Sequence, residues 1–353
     1  METEEIYAAL PGALLPWYRA HHRDLPWREN REPYRVWLSE IMLQQTRVEA
    51  VKGYYARFLA ELPTVEALAN ADAERLHKLW EGLGYYSRVR NLKKAAQTIQ
   101  TLHGGAFPRE YEAVRALPGI GDYTAGAICS ICFDQPTPAV DGNVLRLMAR
   151  LENDDTPVDL PGRKREVCRN LARVYPREAG EFTQALMELG ATICGPNRKP
   201  DCAMCPCGTF CRGYQAGRAE ALPVKSPRKT RTQEDRTVFI LNCEDRFALV
   251  KRPDTGLLAG LWEFPNVSGT LETGPALARL EKMGLHPREL HRVLEKKHIF
   301  THIQWNMTGY YLTVSREAEG FVWMNREEIE GNASLPTAFR QFWVETAGME
   351  RGV

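Results

Sequence analysis

Five of the chain's nine cysteines fall between Cys194 and Cys211, and this cluster restricts the fold more than any other feature. Cys194, Cys202, Cys205 and Cys211 form the pattern C-x7-C-x2-C-x5-C directly after a segment of helical periodicity. Four thiolates in so short a loop can enclose a tetrahedral zinc ion or an iron–sulfur cluster. Either group supplies folding free energy to a segment with little apolar core. Cys207 is then a spare thiol. The stretch METEEIYAALPGALLPW carries acids where an export signal needs positive charge, and prolines interrupt its apolar run. A cytoplasmic location is therefore expected, with the cysteines as metal ligands rather than a disulfide scaffold. No segment approaches the roughly 20 apolar residues of a membrane-spanning helix.

At 353 residues the chain is too long for one ordinary core, and two domains are expected. A net charge of only +1 means that any surface for nucleic acid must be a local one. From Pro33 to about Glu188 the sequence reads as helix after helix. VEALANADAERLHKLWEGLG and SRVRNLKKAAQTIQTLHG carry apolar residues at spacings of three and four, then stop at glycine. GRAEALPVKSPRKTRTQEDR breaks that pattern and reads as a linker. From Arg212 to Arg236 there are seven Lys or Arg against three Asp or Glu. Beyond it, RTVFILNC and RFALVKR read as strands joined by a Glu244-Asp245 hairpin, IQWNMTGYYLTVS as a third strand and ALARLEKMG as a short helix. The C-terminal part is thus α+β.

LPGIG, Leu117 to Gly121, lies between two helical segments. Its glycines permit a tight turn whose backbone N–H groups, at a helix start, suit a phosphate. Twenty residues on, VDGNVLRLMAR places Asp141 at another helix start, where by itself it reads as an N-terminal cap. The order of phosphate hairpin, helix and acid resembles the helix-hairpin-helix superfamily of DNA glycosylases, in which that aspartate faces the sugar of an everted nucleotide. The resemblance covers residues from about 10 to 211.

VWLSEIMLQQTRV, GLGYYSR, LPGIGDYTAGA and VDGNV stand in the order found in the adenine DNA glycosylase (MutY) family. Read alone, Glu40 is a surface acid paired along its helix with Gln44 and Arg47. The resemblance makes it the general acid that protonates adenine at N7, since a carboxyl among apolar groups holds its proton near neutral pH. It makes Asp141 the carboxylate that stabilises the oxocarbenium sugar, with Tyr123 and Asn143 positioning groups around it. Arg28 and Gln184 match positions lining the adenine pocket. Gln45, Thr46, Leu83 and Tyr85 match loops that fill the gap left by the everted base, Tyr85 as the wedge beside an oxidised guanine. Gly119 and Gly121 hold the backbone phosphate. The cysteine spacing resembles the [4Fe–4S] loop of endonuclease III and the adenine glycosylases, with one residue extra in the first gap. Arg198 and Lys199 in that gap are placed to grip phosphates. Bifunctional relatives carry a lysine where Tyr123 stands, so base removal without strand cleavage is implied.

GLWEFPN and the strands after it resemble the Nudix fold. Its acidic helix would be Leu277 to Leu285, where only Glu281 survives and Ala278 and Lys282 replace glutamates, so metal-dependent hydrolysis is not expected. HIFTHIQW, His298 to Trp305, is similar to the loop by which the family's C-terminal domain senses 8-oxoguanine, through Phe300, Thr301 and His302. The expected architecture is an all-α helix-hairpin-helix glycosylase domain with an iron–sulfur loop, residues 1–216, with the hairpin at about 113–131 and the loop at 194–211. A basic linker, 217–235, and an α+β Nudix-like domain, 236–353, follow. The expected partner is double-stranded DNA holding adenine opposite 8-oxoguanine or guanine, met by a monomer in the cytoplasm, on the nucleoid. A bifunctional pyrimidine glycosylase and lyase is the competing reading; it lacks its lysine and leaves the last 120 or so residues unexplained. A Nudix hydrolase lacks its acids, and a non-catalytic DNA-binding module leaves Glu40 and Asp141 idle.

Overall fold

The computed structural model of the chain describes residues 1–196, 199–227 and 230–347. They fall into two compact units, Met1–Asn70 with Asn91–Arg228, and Ala71–Arg90 with Lys229–Val353.

The first unit is helical throughout its described elements. Helix Thr3–His21 buries Ile6, Tyr7, Leu10, Leu14, Leu15 and Tyr18, a stripe at helical spacing that packs against helix Ala179–Thr192. Pro11 and Pro16 lie inside this helix. An internal proline costs about 3 kcal/mol, whereas each large apolar side chain buried on the stripe returns about 1.5–3 kcal/mol. Burial wins. Helices Pro33–Leu43, Asp122–Phe133, Gly142–Glu152 and Ala179–Thr192 pack around one another and carry the site described below.

The periodic run from Val65 is two helices rather than one, Val65–Asn70 and Ala73–Leu79. The break comes where the Asp72 carboxylate accepts from the N–H groups of Glu74 at 2.8 Å and Arg75 at 3.1 Å, starting a new helix. The second helix and the turn after it belong to the second unit. Lys78 Nζ donates to the Ala333 carbonyl at 3.3 Å, the Glu81 carboxylate accepts from Leu335 N–H at 3.1 Å, and Arg90 Nη1 donates to the Ala259 carbonyl at 2.9 Å.

The second unit is a mixed sheet of seven strands: β1 (Thr232–Cys243), β2 (Arg246–Lys251), β3 (Trp262–Glu263), β4 (Asn266–Ser268), β5 (Pro287–Ile299), β6 (Ile303–Val314) and β7 (Val322–Met324). The central path runs β3-β2-β1-β6-β5, with β4 on β1 and β7 on β2. β1 and β6 are parallel, Thr232 opposite Ile303 through Asn242 opposite Thr313. The β1–β2 hairpin turns at Glu244 and Asp245 as expected, with φ of 47° and 65°, the left-handed pair of a type I′ turn. Helices Arg326–Asn332 and Thr337–Trp343 cover one face through Ile329, Phe339, Phe342 and Trp343. Helix Thr273–Lys282 covers the other through Ala276 and Leu280.

Two boundaries differ from the sequence reading. The linker expected over 217–235 is largely structured: Leu222 is buried, its carbonyl accepts from Arg150 Nε at 2.9 Å, and Val158 N–H donates to the Val224 carbonyl at 3.1 Å. Its last four residues, from Thr232, are already in β1, because the ladder to β6 extends beyond the apolar run. The helix aligned over Leu277–Leu285 spans Thr273–Lys282 and ends ahead of Gly284, whose φ is +74°. No helix among the described residues is long and apolar enough to cross a membrane.

Candidate active site

Helix Pro33–Leu43 opens with a proline in its first turn, and the Glu32 carboxylate caps the N–H groups of Tyr34 and Arg35. This fixes the helix so that Glu40 faces inward: it is only 6% exposed and not the surface acid that its helical neighbours suggest. Tyr123, second residue of helix Asp122–Phe133, donates its hydroxyl to Glu40 Oε2 at 2.6 Å. Burial raises the Glu40 pKa to about 7, aided by Asp141 and opposed by the Tyr123 hydrogen bond and the Arg28 charge. Desolvation outweighs them, so the carboxyl is half protonated near neutrality.

Asp141 is the helix cap that its local sequence suggests. It caps helix Gly142–Glu152, Oδ1 accepting from the N–H groups of Asn143 and Val144, each at 2.9 Å, and it lines the same cleft as Glu40. Asn143 Nδ2 donates to Oδ2 at 2.8 Å. Burial raises the Asp141 pKa as well, and these three bonds pull it back. Every hydrogen-bond partner it has here is a donor, a surrounding that fits the ionised form. One carboxyl is thus equipped to hold a proton and the other to accept donors. An acid and a carboxylate on one cleft can protonate a leaving group and shield a developing cation.

The cleft encloses about 1420 Å³, and Gln45, Thr46, Gly119, Gly121, Arg28 and Gln184 also line it. Gly119 has φ +78°, and a Cβ there would lie 2.6 Å from Asn91 Cβ; at Gly121 a Cβ would meet nothing within 4 Å. The first glycine is required by the turn. The second leaves the backbone N–H at the start of helix Asp122–Phe133 open to close approach. Gln45, exposed and not a glycine, holds a left-handed φ of 58°, a conformation that costs about 1–3 kcal/mol and concentrates at functional sites.

Residues 38–175 match the family described as HhH-GPD superfamily base excision DNA repair protein, and residues 236–345 match the NUDIX domain. Adenine DNA glycosylase of Rattus norvegicus is 37% identical over an alignment that covers 93% of this chain and 76% of the rat protein. The chain belongs to the adenine DNA glycosylase family. It is therefore a hydrolase of N-glycosyl bonds that acts on DNA in base excision repair. The Mus musculus adenine DNA glycosylase is also 37% identical, over 98% of this chain and 80% of the mouse protein. A thermostable thymine-DNA glycosylase has a TM-score of 0.55 at 27% identity, covering 61% of this chain and 99% of its own.

Two features of this adenine DNA glycosylase family member escape sequence reasoning. Glu188, one helical turn after Gln184, is buried and grips two arginines: Arg23 through Nε at 2.7 Å and Nη2 at 2.9 Å, and Arg28 through Nη2 at 2.8 Å. Burial works to raise the Glu188 pKa, but the two guanidinium groups outweigh it and hold it down at about 2. Arg146 joins the acid to the cysteine loop. Its Nη2 donates to Asn143 Oδ1 at 2.8 Å and its Nε to the Cys194 carbonyl at 2.9 Å. The spacing of three between Asn143 and Arg146 puts them on one helix face, but no sequence signal says what Arg146 reaches.

Cys194, Cys202, Cys205 and Cys211 all line one small cavity beside helix Gly142–Glu152, together with Arg150, whose Nη1 lies 3.1 Å from Cys194 Sγ. Cys207 is fully buried and is not among the residues lining it. Among the described residues no three His, Cys, Asp or Glu groups converge on a position for a single ion. Four thiols around one cavity with a buried guanidinium beside them are a donor set that suits a thiolate-held, anionic group. Lys199 lines the same cleft as Glu40 and pairs with Glu220 at 3.2 Å; Arg198 lies outside the described residues.

The remaining residues lie in the second unit. Leu83 is buried, whereas Tyr85 is 47% exposed at a left-handed φ of 47°, its hydroxyl 3.3 Å from Thr301 Oγ1. Thr301 and His302 are exposed at the β5–β6 connection, and Phe300 packs against His298 and Trp305 with ring centroids 4.5 and 4.9 Å apart. Glu281, the surviving acid of the Nudix-like helix, is paired with His286 Nδ1 at 2.8 Å.

Proposed function

We propose that the chain hydrolyses adenine from duplex DNA where it is mispaired with 8-oxoguanine, or with guanine, and that it leaves the strand uncut. The observation that carries this is the cleft shared by Glu40, whose pKa burial raises to about 7, and Asp141, whose carboxyl is held by three donor hydrogen bonds. Glu40 delivers its proton to N7 of adenine while Tyr123 holds its other oxygen in place. As the glycosidic bond lengthens, the leaving base takes the electron pair and the sugar becomes an oxocarbenium ion. The Asp141 carboxylate, fixed by Asn143, stabilises that cation until water adds. Arg28 and Gln184 form the wall that receives adenine. Tyr123 stands where a strand-cutting relative needs an amine, and a phenol cannot form the imine.

The adenine must leave the stack to reach the cleft. Gln45 and Thr46 fill the gap, and Gly119 and Gly121 hold the phosphate through backbone N–H groups. Buried Leu83 anchors the turn from which Tyr85 projects, and Tyr85 with Phe300, Thr301 and His302 reads the oxidised guanine. Cys194, Cys202, Cys205 and Cys211 would hold a [4Fe–4S] cluster, which stiffens the loop and supplies no step in adenine removal. The protein acts as a monomer.

The test is a duplex with one adenine opposite 8-oxoguanine. Breakage only after alkali, with no adduct trapped by borohydride, is expected; breakage without alkali would overturn the reading. Replacing Thr301 and His302 by Ala should erode the preference for 8-oxoguanine over guanine, and an unchanged ratio would remove those two residues from recognition.

A further inference from the structure

We propose that Glu188 is a positioning residue for proton transfer, neutralising and anchoring the Arg28 guanidinium so that the neighbouring Glu40 carboxyl keeps its proton. The inference rests on Glu40 as the general acid. Its starting point is an imbalance: a permanently charged guanidinium lines the same cleft as the carboxyl that must be neutral to act. Arg28 is one of two groups that favour the charged form of Glu40. Left alone in a desolvated cleft, it would draw the proton off.

Arg28 is not left alone. Its side chain is 12% exposed, and it donates to Glu188 Oε2, whose side chain is fully buried. Its Nη1 is held by the Arg23 carbonyl at 3.0 Å, and its guanidinium lies 5.5 Å from the centre of the Tyr18 ring. Arg23 shares the same carboxylate and is 39% exposed, so part of its charge is screened by water. Three more groups act on Glu40 from the elements packed around it. Tyr123 and Cys132 lie on helix Asp122–Phe133, and Asp141 caps helix Gly142–Glu152. Tyr123 donates to the carboxylate, Asp141 repels it, and the Cys132 thiol is itself pushed towards its neutral form by burial. Arg28 is a cation on this cleft that favours the ionised form of Glu40, and Glu188 is its buried counter-charge.

The geometry sets opposite signs for two substitutions. Glu188→Gln removes the counter-charge, so the Glu40 pKa should fall. Arg23→Gln leaves Glu188 to Arg28 alone, so it should hold or rise. A fall of one unit leaves about tenfold less protonated acid at pH 8 and little change at pH 5.5. The single-turnover deficit of Glu188→Gln should therefore grow as pH rises, and Glu188→Asp should recover part of it.

The Glu40 carboxyl is read directly by 13C NMR of the full-length protein labelled at glutamate carboxyls, its signal assigned by its loss in Glu40→Gln. The double variant Arg28→Gln with Glu188→Gln should titrate like Arg28→Gln alone, because the effect passes through the guanidinium. A Glu188→Gln deficit that is constant with pH, with an unmoved Glu40 titration, would overturn the proposal. If Glu188→Gln does not fold, Arg23→Gln lowering the Glu40 pKa would do so. Excision surviving in Glu40→Gln would instead defeat the general-acid assignment itself.

Discussion

Glu40 illustrates how little a residue's neighbours in sequence say about its chemistry. Helical spacing pairs it with Gln44 and Arg47, yet in the fold it meets Tyr123, Asp141 and Arg28. Burial lifts its pKa from 4.5 to about 7, and this has two consequences for pH dependence. In the proposed mechanism the protonated form donates, so single-turnover excision should decline as pH rises through 7. Stability declines over a lower window, because the unfolded chain releases this proton at about 4.5 and the folded one only near 7. The parent should lose on the order of 3 kcal/mol from this group between those values. Glu40→Gln should bind duplex DNA but not excise, and should lack that slope, gaining on the parent as pH rises from 4.5 to 8. Urea unfolding of both proteins across this range checks it; parallel stability curves would mean the carboxyl is not desolvated. Asp141 is the complementary lesson, because the carboxylate that caps its helix through Asn143 and Val144 also lines the cleft that holds Glu40.

At the scale of elements, the helix-hairpin-helix is the best specified by local sequence. LPGIG forms the turn between helices Tyr111–Arg115 and Asp122–Phe133 because glycine alone suits position 119 on two counts, a left-handed φ of +78° and Asn91 at 2.6 Å from any Cβ. Gly119→Ala should cost about 2–4 kcal/mol and weaken binding to undamaged duplex, both measurable by urea midpoint and fluorescence anisotropy. An unchanged midpoint would mean that the turn adjusts freely. The element that sequence hides is β5. Its run PRELHRVLEKKHI alternates charged and apolar residues unevenly, and its register with β6 shifts twice. As an edge strand bonded only to β6, it needs no apolar face of its own.

For the whole molecule, the unexpected feature is the assignment of residues 71–90 to the unit that also holds the C-terminal sheet. Glu81 accepts from Leu335 N–H and Arg340, and Lys78 from the same turn reaches the Ile329 and Ala333 carbonyls. A chain ending at residue 227 should therefore show faster amide hydrogen exchange across 71–90 than the full protein. Equal protection there would mean that the helix Ala73–Leu79 stands without the sheet.

Sequence by itself determined what depends on local chemistry: the helical and α+β halves, the Glu244-Asp245 turn, the glycine hairpin between two helices, the cysteine spacing and the order of motifs that marks the family. These are properties of period, turn conformation and ligand spacing, all set within a few residues. Tertiary structure alone decided that Glu40 is buried, that Glu188 restrains Arg28, that Arg146 ties Asn143 to the cysteine loop, and that the helix after Asn70 joins the sheet. Each depends on groups brought together from distant parts of the chain, and desolvation and charge pairing arise only once the chain has enclosed them.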